Sequence, residues 1–169
     1  MKIALTGHTS GIGKAICKRF PNTVGFSRSN DHDISDDYNR EEILFAIQEY
    51  EPDIFINNAH DGFSQVNLLY KLVDIHDGKI INISSNSSDG IKKKKHIYAV
   101  EKGALDKASE QLFYLGHDIT NLRLGLVDTP RVDKPKWNEK KKMSPDYIVD
   151  IIEWIIKQPH RIKEVSIQP

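Results

Sequence analysis

The stretch that decides the fold is KIALTGHTSGIGKAICKRF, residues 2–20. An apolar run leads into a turn with glycine at positions 7, 11 and 13, and a helical pattern follows the turn. Glycine lets a backbone bend sharply and approach a ligand, while the free amides of a helix N-terminus attract a pyrophosphate. This order of strand, glycine turn and helix predicts a dinucleotide-binding site.

Short apolar or β-branched runs alternate with helical patterns along the rest of the chain, which is typical of parallel βαβ units. Strands are predicted near residues 2–6, 23–27, 32–34, 53–57, 79–84, 121–126 and 164–168. Helices are predicted near residues 12–20, 39–50, 64–75, 97–115 and 145–157. In the last helix, isoleucines recur at helical spacing and predict packing against the sheet. The expected fold is α/β, a Rossmann-type doubly wound parallel sheet in a single domain over residues 1–169.

Three more motifs follow the glycine turn in order. Asn57-Asn58-Ala59 ends one predicted strand, Ser85 follows the next, and YAVEK places Tyr98 and Lys102 on one helix face. Together with TGHTSGIG at residues 6–13, they closely resemble the motifs of the short-chain dehydrogenase/reductase family, over nearly the whole chain. The resemblance implies a nicotinamide-dependent oxidoreductase whose catalytic residues lie in the cofactor-binding domain.

The resemblance also implies the catalytic roles. Hydride transfer to a carbonyl leaves an alkoxide that needs a proton, and an acid with a pKa near the working pH supplies it best. Tyr98 is the implied acid, and Lys102 would bring its pKa down from the ordinary ~10. Lys102 would also bind the nicotinamide ribose, while Ser85 would polarise the substrate oxygen. Asn67 is the candidate for the family's proton-relay asparagine, although it lies nearer to Ser85 than in relatives.

The predicted cofactor is NADP(H) in preference to NAD(H). An acidic residue about 20 positions after the glycine turn binds the ribose of NAD, whereas arginine accommodates the 2′-phosphate of NADP. This chain has Ser27 and Arg28 there, although Ser10 replaces the basic residue that many NADP-using relatives carry. The predicted cofactor contacts are Gly7, Thr9, Ser10, Gly11, Ile12, Gly13, Ser27, Arg28, Asp33, Ile34, Asn58, Ala59, Tyr98, Lys102, Val127 and Thr129.

Several of these contacts follow from the resemblance alone. Asp33 and Ile34 match the pair that meets the adenine, although a turn or capping role for Asp33 is an equal alternative. Val127 and Thr129 match contacts to the nicotinamide carboxamide. His60 replaces the last glycine of the family's NNAG motif, and it is either a wall of the active site or an exposed loop residue.

Composition limits the cellular compartments and the classes of binding partner that we expect. The 24 Lys and Arg residues balance 24 Asp and Glu residues, so overall charge gives no reason to expect nucleic acid or a membrane as the partner. The chain starts with a predicted core strand instead of a signal peptide, and no apolar run approaches the ~20 residues that span a bilayer. Cys17 is the single cysteine, which suits a reducing compartment. We expect a cytoplasmic protein that binds no metal and acts on a small carbonyl or alcohol.

Positive charge is concentrated in two loops that should flank the active-site mouth. One is the lysine run 92–95, and the other is the segment 131–142, which occupies the place of the family's substrate lid. They are either solvated surface or a device that captures an anionic substrate. Trp137 could add an apolar lid contact.

Two alternatives to the reductase function remain open, and the oligomeric state is open as well. A non-catalytic dinucleotide-sensing module is favoured by the short substrate region and by His60. A nucleotide-sugar epimerase or dehydratase could use the same Tyr98 and Lys102, but little chain follows Thr129. Residues 60–78 form a connection that is shorter than in relatives and reduces the helix of the family's dimer interface. A homo-oligomer is therefore possible, but not necessarily in the family's arrangement.

Overall fold

The computed structural model describes residues 1–90, 94–132 and 139–169, and within these ranges the chain forms six strands and five helices. The strands are β1 (Ile3–Thr6), β2 (Val24–Phe26), β3 (Ile54–Asn57), β4 (Lys79–Ser85), β5 (Ile119–Leu124) and β6 (Glu164–Ile167). The helices are α1 (Gly11–Arg19), α2 (Asp37–Tyr50), α3 (Ser64–Leu72), α4 (Ile97–Tyr114) and α5 (Pro145–Ile156). None of these helices combines the length and apolarity needed to cross a membrane.

The strands form one parallel sheet in the order β2-β1-β3-β4-β5-β6. The chain runs outward from β1 to β2, then returns to the other side of β1 and continues through β3 to β6. The strand order therefore reverses between β1 and β3, and at such a point the carboxyl ends of the strands border a crevice that binds ligands. The predicted doubly wound α/β fold is confirmed.

Both faces of the sheet are buried, as expected for parallel strands connected by helices. Helices α2, α3 and α4 pack on one face around Phe55, and α1 and α5 pack on the other around Ile56. The apolar stripe predicted for the last helix is confirmed, because Ile148, Ile152 and Ile155 are fully buried against the sheet. These two layers hold the strand ends, and the loops that follow them, in fixed positions.

The strand predicted at residues 32–34 is wrong. Asp31 has a left-handed backbone with φ of 61°, and the Asp33 carboxylate accepts a hydrogen bond from the Ser35 amide at 3.0 Å. A side-chain bond of this kind gives the backbone an alternative to sheet pairing. Ile34 is buried in the core on the α2 side, so its apolar character reflects packing of a turn. Strand β2 is consequently the edge of the sheet.

Candidate active site

A cleft of about 1000 Å³ runs along the carboxyl ends of the central strands, at the reversal of strand order. Every predicted catalytic and cofactor-binding residue lines it except Gly13 and Asn67. The residues come from the loops after β1, β2, β3, β4 and β5 and from helix α4. The fold thus brings together side chains that lie more than 100 positions apart in the sequence.

The glycine turn forms the floor of one half of the cleft. Gly7 and Gly11 have left-handed backbones with φ of 73° and 50°, which residues with a Cβ rarely adopt. A Cβ on Gly13 would lie 2.0 Å from the carbonyl oxygen of Gly7, so this glycine allows α1 to pack closely against the turn. Ser10 makes no side-chain capping bond. The N-terminal amides of α1 are therefore not occupied by their own capping residue.

The loop after β3 is tied to the glycine turn. The Thr6 hydroxyl oxygen accepts hydrogen bonds from the Asn58 and Ala59 amides at 3.0 and 2.9 Å. The Asn58 side-chain amide donates to the carbonyl oxygens of Thr6 and Gly7 at 3.0 and 3.1 Å. Asn58 therefore holds the floor of the cleft in place.

The loop after β2 borders the far end of the half of the cleft that has the glycine turn as its floor. Asn30 accepts a hydrogen bond from the Ser27 amide and donates to the Gly25 carbonyl, each at 2.8 Å. Arg28 follows Ser27, is exposed, lines the cleft, and has no ion-pair partner among the residues that the structure describes. Asp33 also lines the cleft while its carboxylate caps the Ser35 amide, so its two predicted roles are compatible.

Lys102 lies in the interior of the site, on the same face of α4 as Tyr98. It is only 3% exposed, and its ammonium donates hydrogen bonds to the Gln65 side-chain oxygen at 2.7 Å and the Ile83 carbonyl at 2.8 Å. Its Nζ lies 5.8 Å from the centroid of the Tyr98 ring. Burial, and after it the charge of Arg131, lowers the pKa of Lys102 to about 7. The site therefore holds a cation that can lose its proton near neutrality.

Gln65, and not Asn67, is the residue of α3 that contacts Lys102. Gln65 is 1% exposed, and its side-chain nitrogen donates to the Asn57 carbonyl at 2.7 Å. Asn67 is exposed and lies outside the cleft lining. A signal for Gln65 was present in the sequence, because residue 65 shares a helix face with the core leucines 68, 69 and 72. Gln65 is therefore a second candidate, beside the predicted Asn67, for the residue that supports Lys102.

Ser85 ends β4 and begins the short 3-10 turn 86–89. Its hydroxyl oxygen accepts from the Ser87 amide at 3.2 Å and from the Ser87 hydroxyl at 2.9 Å. Because both contacts use the oxygen as acceptor, the Ser85 hydroxyl hydrogen remains able to donate into the cleft. The serine can therefore cap the turn and also bind a substrate oxygen.

His60 forms a wall of the site beside Tyr98. The two rings meet edge to face with centroids 4.9 Å apart, and the imidazole side chain is 8% exposed. His60 Nε2 lies 3.1 Å from a Glu101 carboxylate oxygen. Burial, followed by the charges of Lys102 and Arg131, lowers the pKa of His60 to about 4, so the ring is neutral at neutral pH. The exposed-loop alternative for His60 does not hold.

Arg131 is a further residue at Tyr98, and in the sequence it is distinguished only as part of a charged segment. It lies in the 3-10 turn 130–132, and its guanidinium carbon is 5.1 Å from the centroid of the Tyr98 ring. Lys142, from the same segment, is instead bound to Asp128 at 3.3 Å. Lys94 and Lys95 are exposed and do not line the cleft. The predictions for Lys92, Lys93 and Trp137 fall outside the described residues.

Comparison with known sequences gives distant relatives. No protein-family model matches the chain. An uncharacterized oxidoreductase of Staphylococcus epidermidis is 24% identical over 223 aligned positions, which cover 99% of this chain and 97% of that protein. Another, from Staphylococcus saprophyticus, is 26% identical over 129 residues, or 73% of this chain and 55% of the relative. In this second alignment the matched part spans about half of the relative's length.

Comparison with solved structures gives close agreement in fold at low identity. A serine dehydrogenase complexed with NADP⁺ matches with a TM-score of 0.81 and 18% identity, covering 99% of this chain and 94% of that one. The 3-alpha-hydroxysteroid dehydrogenase of Pseudomonas sp. B-0831, complexed with NADH, matches with a TM-score of 0.82 and 15% identity, covering 99% and 95%. The agreement in fold extends over nearly the whole chain.

Proposed function

We propose that this chain, which has the fold and the motif order of the short-chain dehydrogenases/reductases, is an NADP(H)-dependent oxidoreductase that acts on a carbonyl or alcohol. One observation carries the proposal. Tyr98, Ser85 and the buried ammonium of Lys102 share a single cleft with the glycine turn and the N-terminus of α1. Hydride chemistry needs a dinucleotide beside a proton donor, and this cleft has groups suited to both.

The residues along the cleft fit a nicotinamide dinucleotide. The amides at the start of α1 and the left-handed glycines suit the pyrophosphate, and Asp33 with Ile34 suits the adenine end. Val127 and Thr129, on the loop after β5, line the cleft and would contact the nicotinamide carboxamide. The bound cofactor would supply or accept the hydride. Structural neighbours are complexed with NADP⁺ and with NADH, so the preference for NADP(H) rests on the unpaired Arg28.

The protein's own residues would handle the proton. In the reductive direction the Tyr98 hydroxyl gives its proton to the oxygen that receives negative charge, while Ser85 donates a hydrogen bond to the same oxygen. The Lys102 ammonium stabilises the phenolate that remains. Two of its three hydrogens are held by Gln65 and Ile83, which leaves one donor for the ribose or the tyrosine. Gln65 would thus support Lys102, the role that the sequence suggested for Asn67.

Tyr98→Phe tests the catalytic role. The variant should bind NADPH as the unmodified protein does, but lose at least ~10²-fold in turnover, the scale expected when a positioned acid is removed. Tyr114→Phe is the matched control, because Tyr114 ends the same helix and is exposed. Cofactor affinity is measured by titration, and turnover by NADPH oxidation with a panel of carbonyls.

Each outcome of this experiment separates the candidate functions. Normal cofactor binding with turnover that depends on Tyr98 supports the reductase. Cofactor binding without turnover on any carbonyl or alcohol would favour the non-catalytic sensing module. Near-normal turnover in Tyr98→Phe would contradict the proposed mechanism.

A further inference from the structure

Arg131 is an arginine whose charge is not compensated within the described part of the chain. Three arginines away from the cleft, Arg19, Arg40 and Arg123, each form an ion pair with a carboxylate. Arg131 has no such pair among the described residues, and its guanidinium lies over the face of the Tyr98 ring. A guanidinium presents five donors in a planar fork, and a ring face uses none of them in a directed hydrogen bond.

The surroundings of Arg131 add to the positive charge. Lys102 is buried beneath the same tyrosine, and Arg131 is close enough to lower the pKa of both Lys102 and His60. The nearby Glu101 carboxylate lies 3.1 Å from the neutral His60 ring and favours the charged form of Lys102, whereas Asp128 is bound to Lys142. The reacting end of the cleft therefore has both Arg131 and Lys102 beside the Tyr98 ring, and neither forms an ion pair with a carboxylate among the described residues.

We propose that Arg131 binds a carboxylate of the substrate and thereby selects small oxo acids, or the corresponding hydroxy acids. This inference rests on the proposed function, because it places the reacting carbonyl at the Tyr98 hydroxyl. A carboxylate would form paired, charge-assisted hydrogen bonds with the guanidinium and offset its repulsion with Lys102. The substrate's carboxylate would replace the ring face as the partner of the guanidinium.

The short distance between Arg131 and Tyr98 limits which anion fits. The guanidinium carbon lies 5.1 Å from the centroid of the ring whose hydroxyl would meet the carbonyl, so the two substrate groups can be only a few bonds apart. A 2-oxo or 3-oxo acid has this spacing. An acyl group on a long carrier arm has its negative charges far from its carbonyl and would not bring them to Arg131.

The test compares oxo acids with their methyl esters, which keep the carbonyl and lose the charge. The probes are 2-oxobutanoate and acetoacetate with the two esters, assayed with saturating NADPH. The unmodified protein should prefer the acids. Arg131→Gln should lower the ratio of kcat/KM for each acid to kcat/KM for its ester by about 10- to 100-fold, as expected for loss of a charge-assisted hydrogen bond; the ratio cancels any effect of Arg131 on Tyr98 and Lys102 that both substrates share. Arg131→Lys should recover part of the loss.

Arg161→Gln is the matched control. Arg161 also lies over an aromatic ring, 4.8 Å from the centroid of Phe113, but it is outside the cleft. Its loss should not change the ratio of acid to ester turnover. An equal effect of Arg131→Gln on acids and esters, or no preference for acids in the unmodified protein, would overturn the role of Arg131 and leave the reductase proposal standing.

A binding measurement keeps the two proposals distinguishable if no carbonyl is reduced. Oxamate carries a carboxylate beside an amide carbonyl that does not accept hydride, and it can be titrated into the NADPH-saturated protein by calorimetry. Binding that weakens by about 10- to 100-fold in Arg131→Gln supports the carboxylate site without any turnover. Absence of binding, or equal binding by Arg131→Gln, would overturn it.

Discussion

Replacing Gln65 with leucine would remove the side-chain acceptor of the buried Lys102 ammonium. The Gln65 oxygen lies 2.7 Å from Nζ in a part of the site from which solvent is excluded. Loss of a hydrogen bond to a charged group costs about 1.5–3 kcal/mol. Since one pKa unit corresponds to ~1.36 kcal/mol, the leucine should lower the pKa of Lys102, which is about 7 in the unmodified protein, by about one to two units.

The direction of the pH effect follows from the charge that Tyr98 needs. Only protonated Lys102 stabilises the phenolate, so reductase activity should fall as the pH rises through the pKa of Lys102. In Gln65→Leu this fall should begin at a lower pH, and at neutral pH only about a tenth of the lysine, or less, would remain charged. Gln65→Glu should move the fall to higher pH, because a carboxylate beside the ammonium favours the charged form.

The assay is kcat/KM for carbonyl reduction over roughly pH 5–9, with thermal unfolding as the check that each variant is folded. Asn67→Leu is the matched control on the same helix, because Asn67 is exposed and outside the cleft. Its profile should coincide with that of the unmodified protein. A folded Gln65→Leu variant with an unchanged profile, or an equal shift in Asn67→Leu, would refute the assigned role of Gln65.

Three further changes test the cofactor site, the glycine turn and the charged loop. Arg28→Asp should reverse the preference for NADPH over NADH in dissociation constants, because a carboxylate repels the 2′-phosphate; NADH preferred by the unmodified protein would contradict this. Gly13→Ala should lower the free energy of unfolding in urea by about 2 kcal/mol or more, since its Cβ would overlap the Gly7 carbonyl. Gly103→Ala is its control and should raise stability by about 0.5–1 kcal/mol, because its Cβ has room inside α4. Changing the lysines at 92–95 to glutamine should flatten the salt dependence of turnover for an anionic substrate, because salt screens exposed charge over ~8 Å; an identical salt response before and after would leave them as surface charges.

The features that the sequence alone determined are those with a local physical cause. A tyrosine and a lysine four residues apart share a helix face whatever surrounds the helix, so the pairing of Tyr98 with Lys102 was predictable. The isoleucine spacing of α5 and the glycines at 7, 11 and 13 likewise reflect helix geometry and the limits of a tight turn. The order of these local signals was enough to predict the α/β fold and its cleft.

The features that only the tertiary structure decided depend on contacts between segments far apart in the chain. The apolar character of residues 32–34 predicted a strand, but burial of Ile34 together with the Asp33 side-chain bond makes it a turn. Which residue of α3 contacts Lys102, Gln65 or Asn67, depends on how α3 is rotated against the sheet. The approach of His60 and Arg131 to Tyr98 depends on the loops after β3 and β5 ending at the same edge of the sheet. The spacing of residues in the sequence does not show which loops come together in space. The packing of the two helix layers on the common sheet sets the distances between these loops.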